Sequence, residues 1–239
     1  MTRMSIETPV NELERLSRLQ QLAVLDTAAE PIFDALTRIA VLVTGAPIAL
    51  ISLIDENRQW FKSNIGLADV PETPRDQAFC AHAILGDELL EVVDARADPR
   101  FADNPLVTGD PHIRYYAGAP IALSDGLRMG TLCVIDRTTR RLTGAQHAIL
   151  QQLARAAAAA LEQRILALER DAAMQSRHEF EQRLRASEAF LDRTGRLASV
   201  GGWEVDLASG EFTFSDQTCR IHEVTSGFRP TMQQALAFY

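Results

Sequence analysis

Apolar and polar positions change period several times along the chain, and each change marks an element. Leu13, Leu16, Leu19 and Ala23 recur at helical spacing and stop at Leu25-Asp26-Thr27. A second helix is predicted over residues 31–44, with Pro31 acceptable in its first turn and Gly45 closing its end. The run Ile48-Ala49-Leu50-Ile51-Ser52-Leu53-Ile54 is almost continuously apolar and of strand length, the pattern of a strand covered on both faces. Residues 55–58 are polar and turn-like, and residues 59–65 return as a second strand. A proline-rich loop over 71–74 precedes a short helix predicted over 76–85 and a strand over 89–93. The polar stretch 94–110 is expected to be a loop carrying one helical turn around Phe101. Residues 115–123 and 128–135 form a hairpin about Ser124-Asp125-Gly126. Together these elements predict an α+β fold, an antiparallel sheet flanked by helices.

Past residue 142 the character changes. No proline or glycine occurs between Gly144 and Gly195, so one long helix is predicted. Leu161, Ile165, Leu168 and Ala172 keep a 4-3-4 spacing, and Phe180, Leu184 and Leu191 resume it out of phase, as across a stutter. The run Ala156–Ala160 permits close approach of a neighbour. Such a helix either packs back on its own domain or pairs with a second copy. A homodimeric coiled coil through residues 143–198 is the expectation, because so long a seam exceeds what a small domain covers. From Gly201 the alternation of residues 202–207 and 211–215, joined by Ala208-Ser209-Gly210, predicts a β-hairpin, followed by short helices over 216–223 and 231–238. The expected division is 1–142, 143–198 and 199–239.

Composition narrows the function classes. Of 239 residues, 46% are hydrophobic and 23% charged, a globular balance, and 24 basic against 32 acidic side chains leave a net charge of −8. That sign disfavours nonspecific nucleic-acid or anionic-membrane binding. Cys80, Cys133 and Cys219 offer neither a CxxC nor a zinc spacing, so no metal site is expected and a reducing, cytoplasmic setting fits. The most apolar stretch, residues 39–54, is broken by Thr44-Gly45-Ala46-Pro47, and the first ten residues lack a signal-peptide layout. No membrane insertion is expected.

Several ordered motifs resemble one family. Residues 48–55 with Arg58-Gln59-Trp60-Phe61-Lys62-Ser63, then Glu72-Thr73-Pro74-Arg75-Asp76 with Phe79-Cys80-Ala81-His82-Ala83-Ile84, residues 94–102, Tyr116-Ala117-Gly118-Ala119-Pro120 and residues 130–136 are similar to a bacterial GAF sensor domain over about residues 11–162. Ser187-Glu188-Ala189-Phe190 and Gly201-Gly202-Trp203-Glu204-Val205-Asp206 resemble the opening half of a PAS domain. A whole PAS domain needs roughly 100 residues, so the chain is expected to be a fragment of a longer protein.

The resemblance implies a sensory input region that perceives a small-molecule or redox signal. A dimeric helix would pass it to a C-terminal effector absent from this chain: a histidine kinase, a diguanylate cyclase or a cyclic-di-GMP phosphodiesterase. No GGDEF or EAL string, P-loop or kinase ATP-lid motif occurs, and no catalytic residue is assigned. His178-Glu179 looks like a phosphoacceptor box, but Arg183 stands where that box has proline, so His178 reads as a solvent-facing linker residue. In this family small ligands sit between the sheet and its covering helix and loops. The matching positions are Phe61, Phe79, Cys80, His82, Phe101, Tyr115, Tyr116 and Cys133, against which stands the plainer expectation that such residues fill the core.

Cys80 and His82 resemble the Cys-His pair of bilin-binding members, but Ala81 intervenes. No covalent chromophore is expected, and the ligand stays unnamed. Arg75 and Asp76 either position an anion or cap the helix, and Trp203 is read as packing. The alternative function is a stand-alone GAF-type thiol enzyme such as a methionine sulfoxide reductase, for which the 94–110 loop lacks a cysteine.

Overall fold

A computed structural model describes residues 8–67 and 70–238, which separate into two compact units, one up to Glu169 and one from Arg170. In the first unit, helices α1 (Glu12–Gln21) and α2 (Pro31–Thr44) precede a six-stranded, wholly antiparallel sheet. Its strands are β1 (Ile48–Ile54), β2 (Arg58–Ile65), β3 (Glu72–Pro74), β4 (Leu90–Val92), β5 (Tyr115–Ala122) and β6 (Arg128–Asp136), in spatial order β3-β2-β1-β6-β5-β4. Short helices α3 (Phe79–Ala83) and α4 (Pro105–Thr108) lie in the long connections, and α5 (Gly144–Ala198) follows β6. The fold class is α+β, as its pattern predicts.

Alternation along the strands divides the core in two. Ala49, Ile51 and Leu53 of β1 face one layer with α1, α2 and the start of α5. Leu50 and Ile54 face the other, with α3, α4 and the connecting loops. Every residue of β1 is buried, which accounts for its unbroken apolar run. Helix α2 ends where expected: Gly45 takes φ 66°, and its N–H bonds to Val41 O.

Three local expectations are corrected, the first being the 71–74 loop, whose residues Glu72–Pro74 pair with β2 as edge strand β3. The inward face of α1 does not run through Leu13, which is 86% exposed, but through Arg15 and Leu19. The Arg15 guanidinium donates to Ile54 O at 2.6 Å and pairs with Glu12, which compensates its burial. The helix expected over 76–85 is instead a 3₁₀ turn, Arg75–Gln77, then α3, with Ala78 extended between them (ψ 118°). The Gln77 carbonyl accepts from Asn104 Nδ2 rather than continuing a helix, and exposed Asp76 caps nothing. The 94–110 loop turns about Phe101 as expected, with Phe101 N and Ala102 N both donating to Asp98 O, and it carries a second turn at α4, where Asn104 accepts from Leu106 N and Pro105 occupies the first helical position.

In α5, Leu150, Leu153, Ala154, Ala157, Ala158 and Leu161 recur at spacings of three and four and are buried in the same core as α1 and α2. The alanine run therefore approaches the unit's own sheet. Beyond it, Leu166, Leu168, Phe180, Leu184 and Leu191 are exposed.

In the second unit, strands β7 (Trp203–Val205) and β8 (Phe212–Phe214) pair antiparallel, followed by α6 (Asp216–Ile221) and α7 (Met232–Leu236) around Phe212, Phe214, Cys219 and Ala235. Trp203, expected to pack, is 55% exposed and meets Phe212 at a ring distance of 5.9 Å. Among the described residues no helix is long and apolar enough to cross a membrane.

Candidate functional site

Between the sheet and α3 lies a cavity of about 120 Å³. Leu50 of β1, Phe61 of β2, Tyr116 of β5, Ile135 of β6 and Phe79 and Cys80 of α3 line it, with Leu67, Val70, Leu106 and Asp110 towards its mouth. A larger open groove of about 480 Å³ runs over the 55–58 turn and residues 72–74. Its walls include the ion pairs of Arg58 with Asp55 and Glu72, which are open to solvent rather than enclosed. The inner cavity has the character of a ligand site: apolar walls with few polar groups. Its size is comparable to the roughly 150 Å³ that holds one benzene.

Two polar groups face it without partners. Gln59 (β2) is 5% exposed, and its Oε1 makes no hydrogen bond among the described residues; nor does Thr73 Oγ1 (β3). The two residues are register partners across β2 and β3, so both side chains emerge on the cavity face. A buried acceptor without a donor costs about 1–3 kcal/mol, and an incoming donor group relieves that cost.

A polar cluster stands behind Cys80. Its Sγ lies 3.8 Å from Cys133 Sγ and accepts the Tyr116 hydroxyl at 3.3 Å, while Ser52 and Thr131 hydroxyls meet at 3.2 Å on the same sheet face. Burial pushes the Cys80 thiol up, but hydrogen bonds from Cys133, Ser52, Thr131 and Tyr116 outweigh it and hold Cys80 at about 7. Cys133 is pushed well up, by its hydrogen bond to Cys80 first and by burial second. Burial also raises Tyr116, so its hydroxyl stays protonated and donating.

The eight expected pocket residues divide accordingly. Phe61, Phe79, Cys80 and Tyr116 line the cavity. Cys133 lies behind Cys80, and Phe101 stacks on Phe79 at 4.0 Å. His82 meets the edge of Phe101 at 4.9 Å, away from Cys80. Tyr115 points to the opposite face of the sheet, where it donates to Glu91, and burial and that carboxylate push its phenol up. Arg75 directs one amino group to the Glu12 carboxylate and the carbonyls of Asp55 and Glu56, while its other amino group makes no hydrogen bond among the described residues. Gln59, Thr73, Ser52 and Thr131 escaped sequence reasoning. For Ser52 and Thr131 the available signal was a hydroxyl at an inward position of an otherwise apolar strand; Gln59 and Thr73 stand in polar stretches of sequence and carried no such signal.

The family model for the GAF domain matches residues 28–161. A cyclic di-GMP phosphodiesterase of Pseudomonas aeruginosa is 50% identical over 132 residues, 55% of this chain and 22% of that protein, so the chain spans about a fifth of the length of that curated relative. Two solved structures are similar at lower identity. One is the GAF domain of an Acinetobacter phosphoenolpyruvate-protein phosphotransferase (17% identity, 65% of this chain and 95% of that chain, TM-score 0.48). The other is the free methionine-R-sulfoxide reductase of Neisseria meningitidis (17% identity, 70% and 98%, TM-score 0.46). With more than half of its length matched by the family model, the chain belongs to the GAF domain family.

Proposed function

We propose that this chain is the input region of a bacterial cyclic-di-GMP signalling protein, in which the GAF domain binds a small, largely apolar molecule carrying a hydrogen-bond donor. The observation that carries the reading is the cavity with its two unpartnered polar atoms, Gln59 Oε1 and Thr73 Oγ1. The effector class is inferred from the 50% identical phosphodiesterase of Pseudomonas aeruginosa. Residues 199–239 are read as part of a PAS domain, and residues 143–198 as the signal-carrying helix, seated on its own domain up to Leu161 and dimerising through its exposed stretch beyond. The exposed Leu168, Phe180, Leu184 and Leu191 support the dimer.

Coupling from cavity to helix has a physical basis in β2. Phe61 lines the cavity, while the next residue, Lys62, faces the other layer and pairs with Glu30. Glu30 also receives Arg164 of α5, whose second amino group donates to Ala23 O. A ligand that displaces Phe61 thereby strains the ion pairs that seat α5, and differential binding to two seatings of the helix constitutes the signal.

The test uses small primary amides and alcohols of about benzene's size as probes in thermal unfolding of the 239-residue chain, together with mass spectrometry of molecules released on denaturation. Binding that raises Tm in the parent and is lost in Gln59→Leu supports the reading. An empty protein indifferent to every probe overturns it.

A further inference from the structure

Cys80 and Cys133 are 53 residues apart in sequence, sit on α3 and β6, and bring their sulfurs to 3.8 Å inside the buried layer beneath α3. Their setting is unlike that of ordinary core cysteines. The Tyr116 hydroxyl is directed at Cys80 Sγ, and the Ser52 and Thr131 hydroxyls occupy the sheet beneath. Three hydroxyl groups placed around one sulfur favour a thiolate over a thiol. Cys80 also forms part of the cavity wall, so a small solute in the cavity meets this residue, whereas Cys133 is not in the wall and lies behind it.

We propose that Cys80 and Cys133 form a reversible dithiol–disulfide pair oxidised by small uncharged hydroperoxides, a second input into the domain. In the first step Cys80 sulfur attacks the distal peroxide oxygen. The S–O bond forms, the O–O bond breaks, and the departing alkoxide takes up the thiol proton and leaves as ROH. Cys80 becomes a sulfenic acid, oxidised by two electrons, and the peroxide is reduced by two. In the second step Cys133 sulfur attacks that sulfenic sulfur. The S–S bond forms, the S–O bond breaks, and the hydroxyl leaves with the Cys133 proton as water. A thiol reductant returns the disulfide to the two thiols by exchange, its own two thiols becoming a disulfide.

Joining the sulfurs requires the 3.8 Å separation to close to about 2.05 Å. Strand β6 is paired on both sides, with β1 and β5, whereas α3 is a five-residue helix lying on it. The helix therefore makes the movement, carrying Phe79 and the cavity wall with it. The pair shares its cavity with the proposed ligand but does not depend on that ligand.

The reduced 239-residue chain is treated with one equivalent of hydrogen peroxide, quenched with catalase, alkylated after denaturation and mapped by mass spectrometry. The expected product has lost two hydrogen masses, contains joined Cys80 and Cys133 peptides, returns to the dithiol with dithiothreitol, and leaves Cys219 alkylatable. Consumption of Cys80 is expected to exceed that of Cys219 on the order of tenfold. In Cys133→Ser, dimedone is expected to label Cys80, and in Cys80→Ser no linked product forms. Full alkylation of all three cysteines after peroxide, or preferential consumption of Cys219, overturns the proposal, and the parent map alone decides this if a variant fails to fold. Oxidation is read with no probe ligand present, so its failure leaves the ligand reading standing, and an empty cavity leaves the dithiol standing.

Discussion

A Cβ on Gly118 would lie 2.6 Å from Tyr116 Cζ and closer still to its hydroxyl oxygen. The bare backbone of β5 thus makes room for the phenol to fold across its own strand and reach Cys80 Sγ. Gly118→Ala is expected to push the hydroxyl off the sulfur and cost about 1–3 kcal/mol by overpacking. Urea unfolding reads the cost, and a combined Gly118→Ala, Tyr116→Phe variant should recover part of it, since the two sites share one space. Strict additivity would contradict this account.

Lys62 is completely buried and donates to Thr27 Oγ1, Ala28 O and Glu30 at 2.7–2.8 Å. Lys62→Met keeps the stem but leaves those acceptors without their cation, and is expected to cost about 3 kcal/mol, the lower end for a broken buried pair, because Arg164 still serves Glu30. The urea midpoint checks it, and an unchanged midpoint would refute it.

Acid should weaken the first unit through Glu12. Burial raises its carboxyl, but hydrogen bonds and charge from Arg15 and Arg75 outweigh this and hold it below the usual range. A depressed folded value means that the stabilising contribution is complete above the unfolded carboxyl value of about 4.3. It is lost as pH falls through the lower folded value. Urea midpoints measured from pH 7 down to pH 3 should therefore fall less steeply below about pH 4.3 in Glu12→Gln than in the parent. Parallel curves would count against the cluster.

Helix α5 should report two environments along its length. Leu161 is fully buried and Leu168 is 45% exposed. Leu161→Ala is expected to cost about 3 kcal/mol by leaving a cavity, and Leu168→Ala under about 0.5 kcal/mol in the first unit. If the exposed seam pairs two copies, Leu168→Ala should instead lower the apparent mass by light scattering at a given concentration. A parent that stays monomeric at high concentration would sink the dimer.

Much of this was legible in residue order because it is local. The breakers Pro31 and Gly45 delimit α2, and the apolar run of β1, the turn at Ser124-Asp125-Gly126 and the glycine-free stretch of α5 each settle a conformation from neighbours a few residues away. Failures occurred where a distant partner overruled the local signal. Arg15 displaced Leu13 from the inward face because Ile54 O lay within reach, and the helix expected over 76–85 broke because Asn104 took the Gln77 carbonyl.

The site divides along the same line. Sequence alone placed every strand of the first sheet except β3, which it read as loop, together with the family resemblance and the nomination of Phe61, Phe79, Cys80 and Tyr116 as pocket candidates. Only tertiary structure decided that Cys80 meets Cys133, that Gln59 stands beside Thr73 over the cavity, and that Tyr115 turns away from it. Strand period states which residues face inward, but not which layer they enter or which residue stands opposite. Those choices depend on pairing register and on loops that close over tens of residues.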